Sequence, residues 1–109
     1  MARRVIWTDP ALSDLERAAE YIEADSARYA RAFVRELRAA GNSLDEFAER
    51  GRIVPEFGSP RLRELLVRNQ RLIYRVAEDD VQILGLIHSA RDLRAFFQRE
   101  RRASPEDGA

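Results

Sequence analysis

The stretch from Arg61 to Asp92, RLRELLVRNQRLIYRVAEDDVQILGLIHSARD, constrains the fold more than any other part of this 109-residue chain. Its runs of Val, Ile, Leu and Tyr predict three strands, at about 61–68, 71–77 and 81–88. The turn around Arg68-Asn69-Gln70 and the turn through Glu78-Asp79-Asp80 are too short for a crossover. Neighbouring strands must therefore run antiparallel, as a meander. In the middle strand Leu72, Tyr74 and Val76 alternate with Arg71, Ile73 and Arg75. Strand geometry sends these sets to opposite faces, one to the core and one bearing arginines. Both parities of the third strand are apolar, so it is expected to be the most buried.

The preceding sequence supplies the layer that covers such a sheet. Arg4-Val5-Ile6-Trp7-Thr8 reads as a first strand. Asp9-Pro10 then reads as a helix start, with Asp9 as N-cap, and Leu12, Leu15, Ala19 and Ile22 follow at helical spacing. Asp25-Ser26 can cap a second helix, whose apolar stripe is Ala30, Phe33, Val34, Leu37, Gly41, Leu44 and Ala48. Gly41 on that stripe allows a close approach by a neighbour, or marks a break before Asn42-Ser43. The short connection makes the two helices an antiparallel hairpin. Gly51, Pro55, Gly58, Ser59 and Pro60 mark a loop over 51–60. Ser89-Ala90-Arg91-Asp92 matches a capping box, which predicts a last helix with Leu93, Phe96 and Phe97. Trp7 is expected in the core under the first helix, and Tyr74 in the core with its hydroxyl at the sheet rim. One domain over 1–103 follows, with 104–109 a frayed acidic tail.

Composition removes several kinds of chemistry. There is no Cys, hence no disulfide and no thiolate nucleophile, in keeping with a reducing cytoplasm. With a single His, a zinc site is not expected, and no cofactor is implied. No apolar run is long enough to span a membrane. Every cation is Arg, since the chain contains no Lys; this excludes a Lys base. Net charge is zero, but its distribution is uneven: nine Arg face eleven acids in residues 1–60, and ten Arg face six acids in residues 61–102. Arginine on a sheet is a rigid fork suited to phosphate or carboxylate.

Several phrases run along this order of elements: WTDPALSDLE at 7–16, AEYI at 19–22, GRIVPE at 51–56, RELLV at 63–67, RLIYRV at 71–76 and IHSARD at 87–92. Together they resemble the RelE/ParE superfamily of toxins from bacterial type II toxin–antitoxin operons, over about residues 3–97. The resemblance implies an α+β fold: an N-terminal strand, a helical hairpin packed on one face of an antiparallel sheet, and a short C-terminal helix. It also implies a cytoplasmic toxin neutralised by a cognate antitoxin of ribbon–helix–helix type. An extended antitoxin segment would wrap the toxin and meet its arginines with acidic residues.

Function divides within that superfamily. RelE-like members cleave mRNA on the ribosome, whereas ParE-like members inhibit DNA gyrase. An RNase of this kind needs a group to activate the 2′-hydroxyl, cations for the phosphate and a proton donor for the leaving oxygen. Arg71 and Arg91 match superfamily positions that carry Arg in the RNases, and Arg63 falls near their Lys positions. Where their C-terminal Tyr is expected, this chain has Phe96 and Phe97, which carry no ionisable proton. IHSARD is more typical of ParE-like members. The resemblance therefore implies binding of antitoxin or target by Arg63, Arg68, Arg71, Arg75, His88 and Arg91, with gyrase as target. The alternative is ribosome-dependent mRNA cleavage by Arg63, Arg71, His88 and Arg91; a degenerate toxin that only binds antitoxin and regulates its operon is a third.

Plain structural roles compete for each residue. His88 can serve as a hydrogen-bonding strand end. Arg71 and Arg75 can lie on a solvated face with Glu64 as ion-pair partner, a weak interaction at a surface. Asp92 fits helix capping, but a cation beside a helix N-terminus opposes the dipole, so capping does not explain Arg91.

Overall fold

The computed structural model describes residues 2–88 together with 98–99. In chain order the elements are β1 (Arg4–Trp7), α1 (Asp9–Glu23), α2 (Ala27–Asn42), β2 (Arg52–Ile53), β3 (Leu62–Val67), β4 (Gln70–Val76) and β5 (Asp80–His88). Two short 3-10 turns, Ser43–Asp45 and Ala48–Arg50, link α2 to β2. The five strands form one sheet in the order β1-β5-β4-β3-β2. The meander of β3, β4 and β5 is antiparallel, as its tight turns require.

Two features of the sheet depart from the sequence reading. β1 joins parallel to β5, so the sheet is mixed rather than wholly antiparallel. The helical hairpin lies between β1 and the meander and returns the chain to the far side, which frees β1 from hairpin geometry. The span read as a loop over 51–60 also contributes β2, whose Arg52 and Ile53 pair with Glu64 and Arg63.

The larger core lies between the helical hairpin and one sheet face. Ala11, Leu15, Phe33 and Leu37 pack there on Leu65, Leu72, Tyr74, Val81, Ile83 and Leu86. The α1 stripe is rotated from expectation: Ala11, Leu15, Ala18 and Ile22 face inward, while Leu12 is exposed. α2 ends at Asn42, and the 3-10 turns carry Leu44 and Ala48 into the core. β5 is the most buried strand of the meander, as expected. Its apolar residues serve both faces because a bulge shifts the register between Ile73 and Tyr74: Gly85 pairs with Ile73 and Ile83 with Tyr74. The extra residue, Leu84, turns to the opposite face with Ile87, while Leu86 rejoins the helix side.

Thr8, not Asp9, caps α1; Asp9 and Pro10 are already helical. Its hydroxyl accepts from the Ala11 N–H at 3.3 Å and donates to the Ile83 carbonyl at 2.7 Å. A carboxylate could only accept, so a hydroxyl here both caps the helix and ties it to β5. Thr8→Ala is expected to cost about 1–2 kcal/mol, measured by urea unfolding, and a change below about 0.3 kcal/mol would contradict this double role. Beyond the reach of β1, the edge of β5 is met by Asp14 of α1, whose Oδ2 accepts from the Leu86 N–H at 3.1 Å. The same carboxylate pairs with Arg99 at 3.2 Å.

Trp7 is partly buried against the larger core and packs on the end of α2. A Cβ on Gly41 would lie 2.4 Å from Trp7 Cζ2, so the close-approach reading of that glycine holds. The indole N–H donates to Asn42 at 3.1 Å, and Arg38 covers the ring at 4.9 Å. The expected last helix, with Leu93, Phe96 and Phe97, and the tail at 104–109 lie outside the described residues, although 98–99 are helical.

Candidate functional site

The sheet face away from the helices holds a smaller apolar cluster of Val54, Ile73, Leu84 and Ile87, with Leu62 packed on it. Beside it runs a chain of charges across three strands and the 54–60 segment. Arg52 of β2 stands opposite Glu64 of β3 and donates from Nε to Glu64 Oε2 at 2.5 Å. Arg71 of β4 donates from Nε to Glu64 Oε1 at 2.6 Å. Its Nη2 then reaches Glu56 Oε1 at 3.2 Å.

The inner pair is buried and the outer pair is not. Side-chain exposure is 0% for Glu64 and 9% for Arg71, against 59% for Arg52 and 49% for Glu56. Burial works against the charge on Arg71, but the hydrogen bonds to Glu64 and Glu56 outweigh it, and the guanidinium holds its proton more tightly than usual. The Arg71 hydrogen bond holds the Glu56 carboxyl below the ordinary carboxylate range. Two cations and two anions cancel along this chain. It is not a ready-made phosphate cradle, because Nε and Nη2 of Arg71 already donate to carboxylates.

The meander register sorts the arginines named from sequence. Directly opposite residues share a face, and Arg63 is opposite Tyr74 whereas Leu66 is opposite Arg71. Arg63 therefore sits on the helix side. There it donates to the Pro60 carbonyl at 2.9 Å, the Gly51 carbonyl at 3.0 Å and the Glu49 carbonyl at 3.3 Å. Arg68 occupies the two-residue turn between β3 and β4 with a left-handed φ of 55°. Its side chain folds onto α2, paired with Glu36 and lying over the Tyr29 ring at 4.9 Å. Among the described residues, Arg75 is the one other arginine named from sequence that shares the Arg71 face; it donates to Gln82 at 3.4 Å. His88 is exposed at the end of β5, opposite Gln70. Arg91 lies outside the described residues.

Glu64 was foreseen as the ion-pair partner of Arg71, but the face around the pair is buried rather than solvated. Arg52 and Glu56 were missed because both fall in a stretch read as loop. The one available signal was the alternation Arg52, Val54, Glu56 beside Pro55, which carries alternate side chains toward the sheet.

A family model described as the ParE toxin of the type II toxin–antitoxin system parDE matches residues 5–93. The chain belongs to the ParE toxin family. The toxin is also 38% identical to Toxin RelE2 of Caulobacter vibrioides (strain ATCC 19089 / CIP 103742 / CB 15) over 89 residues, covering 81% of this chain and 97% of that protein. Its fold matches a chain of the chromosomal ParDE system from P. aeruginosa with a TM-score of 0.67 at 22% identity, covering 80% of this chain and 96% of that chain. It is thus a type II toxin of the RelE/ParE superfamily, for which a cognate antitoxin is the expected partner. Among the described residues no group of His, Asp and Glu could hold a metal ion, and no helix is long and apolar enough to cross a membrane.

Proposed function

We propose that this toxin works in the cytoplasm by binding rather than by catalysis, inhibits DNA gyrase, and is neutralised by a ribbon–helix–helix antitoxin whose extended segment covers the sheet face bearing Arg71. One observation carries this reading: Arg63 and Arg71 lie on opposite faces of the meander, each engaged by internal acceptors. Two cations so placed do not converge on one phosphate, and electrostatic stabilisation of a phosphoryl transition state needs donors aimed at one point. The absence of Lys and the Phe96-Phe97 pair support the same reading.

The name of the Caulobacter relative favours ribosome-dependent mRNA cleavage as the second reading. One experiment separates the two. Purified toxin is expected to block supercoiling by DNA gyrase while leaving ribosome-bound mRNA intact. Cleavage of mRNA in the ribosomal A site, lost on Arg91→Ala, would overturn the binding mechanism.

A further inference from the structure

Arg71 holds two carboxylates of different character. Glu64 is fully buried and pinned by Arg52 on its second oxygen, so it is a fixed part of the sheet. Glu56 is half exposed and meets Nη2 at 3.2 Å, against 2.6 Å for the Glu64 bond. It sits on a turn in which the Phe57 and Gly58 N–H groups donate to the Val54 carbonyl at 3.1 and 2.9 Å. Gly58 has a φ of +64°, with nothing within 4 Å of a Cβ built on it. The turn thus has open space on its outer side.

We infer that Glu56 is an exchangeable internal ligand of Arg71. An acidic side chain of an extended protein segment takes its place on Nη2, and Glu56 moves out to solvent while the Arg71–Glu64 pair stays intact. A guanidinium edge donates to one carboxylate as readily as to another. The swap replaces one carboxylate on Arg71 by another, so the ion pair lost is regained, and Glu56, itself half exposed, is displaced at little net cost. Leu66 defines the rest of the ligand: it lies directly across from Arg71 on the same face and is 60% exposed. The fitting partner is a segment that presents an acidic side chain beside an apolar one. With Glu56 withdrawn, the chain Arg52–Glu64–Arg71 carries a net positive charge, complementary to that segment. This inference deepens the proposed function and rests on its claim that a protein segment covers this face.

The test uses the full chain and a fluorescein-labelled synthetic peptide of alternating Glu and Leu, followed by anisotropy. Glu56→Gln is expected to tighten binding about threefold, because the neutral amide competes poorly for Arg71. Leu66→Ala is expected to weaken it. Carbon-13 NMR of the Glu56 carboxyl supplies an independent readout: its titration, held low by Arg71 in the free protein, should return to the ordinary carboxylate range in the complex. Unchanged or weaker binding by Glu56→Gln, or a Glu56 carboxyl that stays low with peptide bound, would overturn the exchange. Neither measurement reads gyrase inhibition, so failure of the exchange and failure of the proposed target are told apart.

Discussion

Glu64→Ala should cost about 3–5 kcal/mol, the usual penalty for removing one partner of a buried ion pair. Glu64 is 1% exposed and accepts from both Arg52 and Arg71. Its removal leaves Arg71, itself 8% exposed, with a buried charge next to a new cavity and, among the described residues, only the half-exposed Glu56 as ion-pair partner. Arg52 loses less, because most of its side chain already meets water. For a domain this size the loss is a large share of total stability, about 5–15 kcal/mol. Urea unfolding monitored at Trp7 reads it directly. The double variant Glu64→Leu, Arg71→Met should recover most of the loss, since apolar replacement of a whole buried pair is often neutral or better. A loss below about 1 kcal/mol for the single variant would mean that the pair is not buried in solution.

That burial was the part of the site the sequence did not reveal. Alternation along β4 correctly separated Leu72 and Tyr74 from Arg71 and Ile73, since strand periodicity needs no partner to be read. Whether the second face meets water depends on what folds over it, and that is set by Val54 and the turn that follows, far from β4 in sequence. The same limit explains Arg63. Its face is fixed by the register Arg63↔Tyr74, and this follows from a turn of only two residues, Arg68 and Asn69, rather than the three residues named around it. A one-residue error in a hairpin turn moves a side chain to the other face.

Direction of β1 was similarly out of reach. The run Val5-Ile6-Trp7 signals a strand but not its neighbour, and the parallel pairing with β5 depends on how the helical hairpin returns the chain. The meander and the hairpin were legible because their connections are short and admit one geometry. β2, with two residues, is shorter than any periodic signal.

Gly51→Ala should be the second most damaging of these substitutions, at about 3 kcal/mol, for steric reasons alone. Gly51 has an ordinary extended backbone, φ −75° and ψ 159°, so no left-handed conformation is at stake. A Cβ there would lie 2.5 Å from the Glu64 carbonyl oxygen and 2.5 Å from the Tyr74 hydroxyl. The first obstacle is the backbone of β3, which cannot move without pulling Glu64 away from Arg52 and Arg71. The second is a fully buried phenol whose hydroxyl accepts from the Gly51 N–H at 2.9 Å and donates to the Ala48 carbonyl at 2.7 Å. Burial pushes that phenol up from its ordinary pKa, so it remains a neutral donor. A thermodynamic cycle with Tyr74→Phe separates the two obstacles. If the hydroxyl carries part of the clash, Gly51→Ala costs less in the Tyr74→Phe background, with a coupling of about 1 kcal/mol or more. Equal costs in both backgrounds would assign the whole effect to the β3 carbonyl, and a neutral Gly51→Ala would refute the close approach of these two segments.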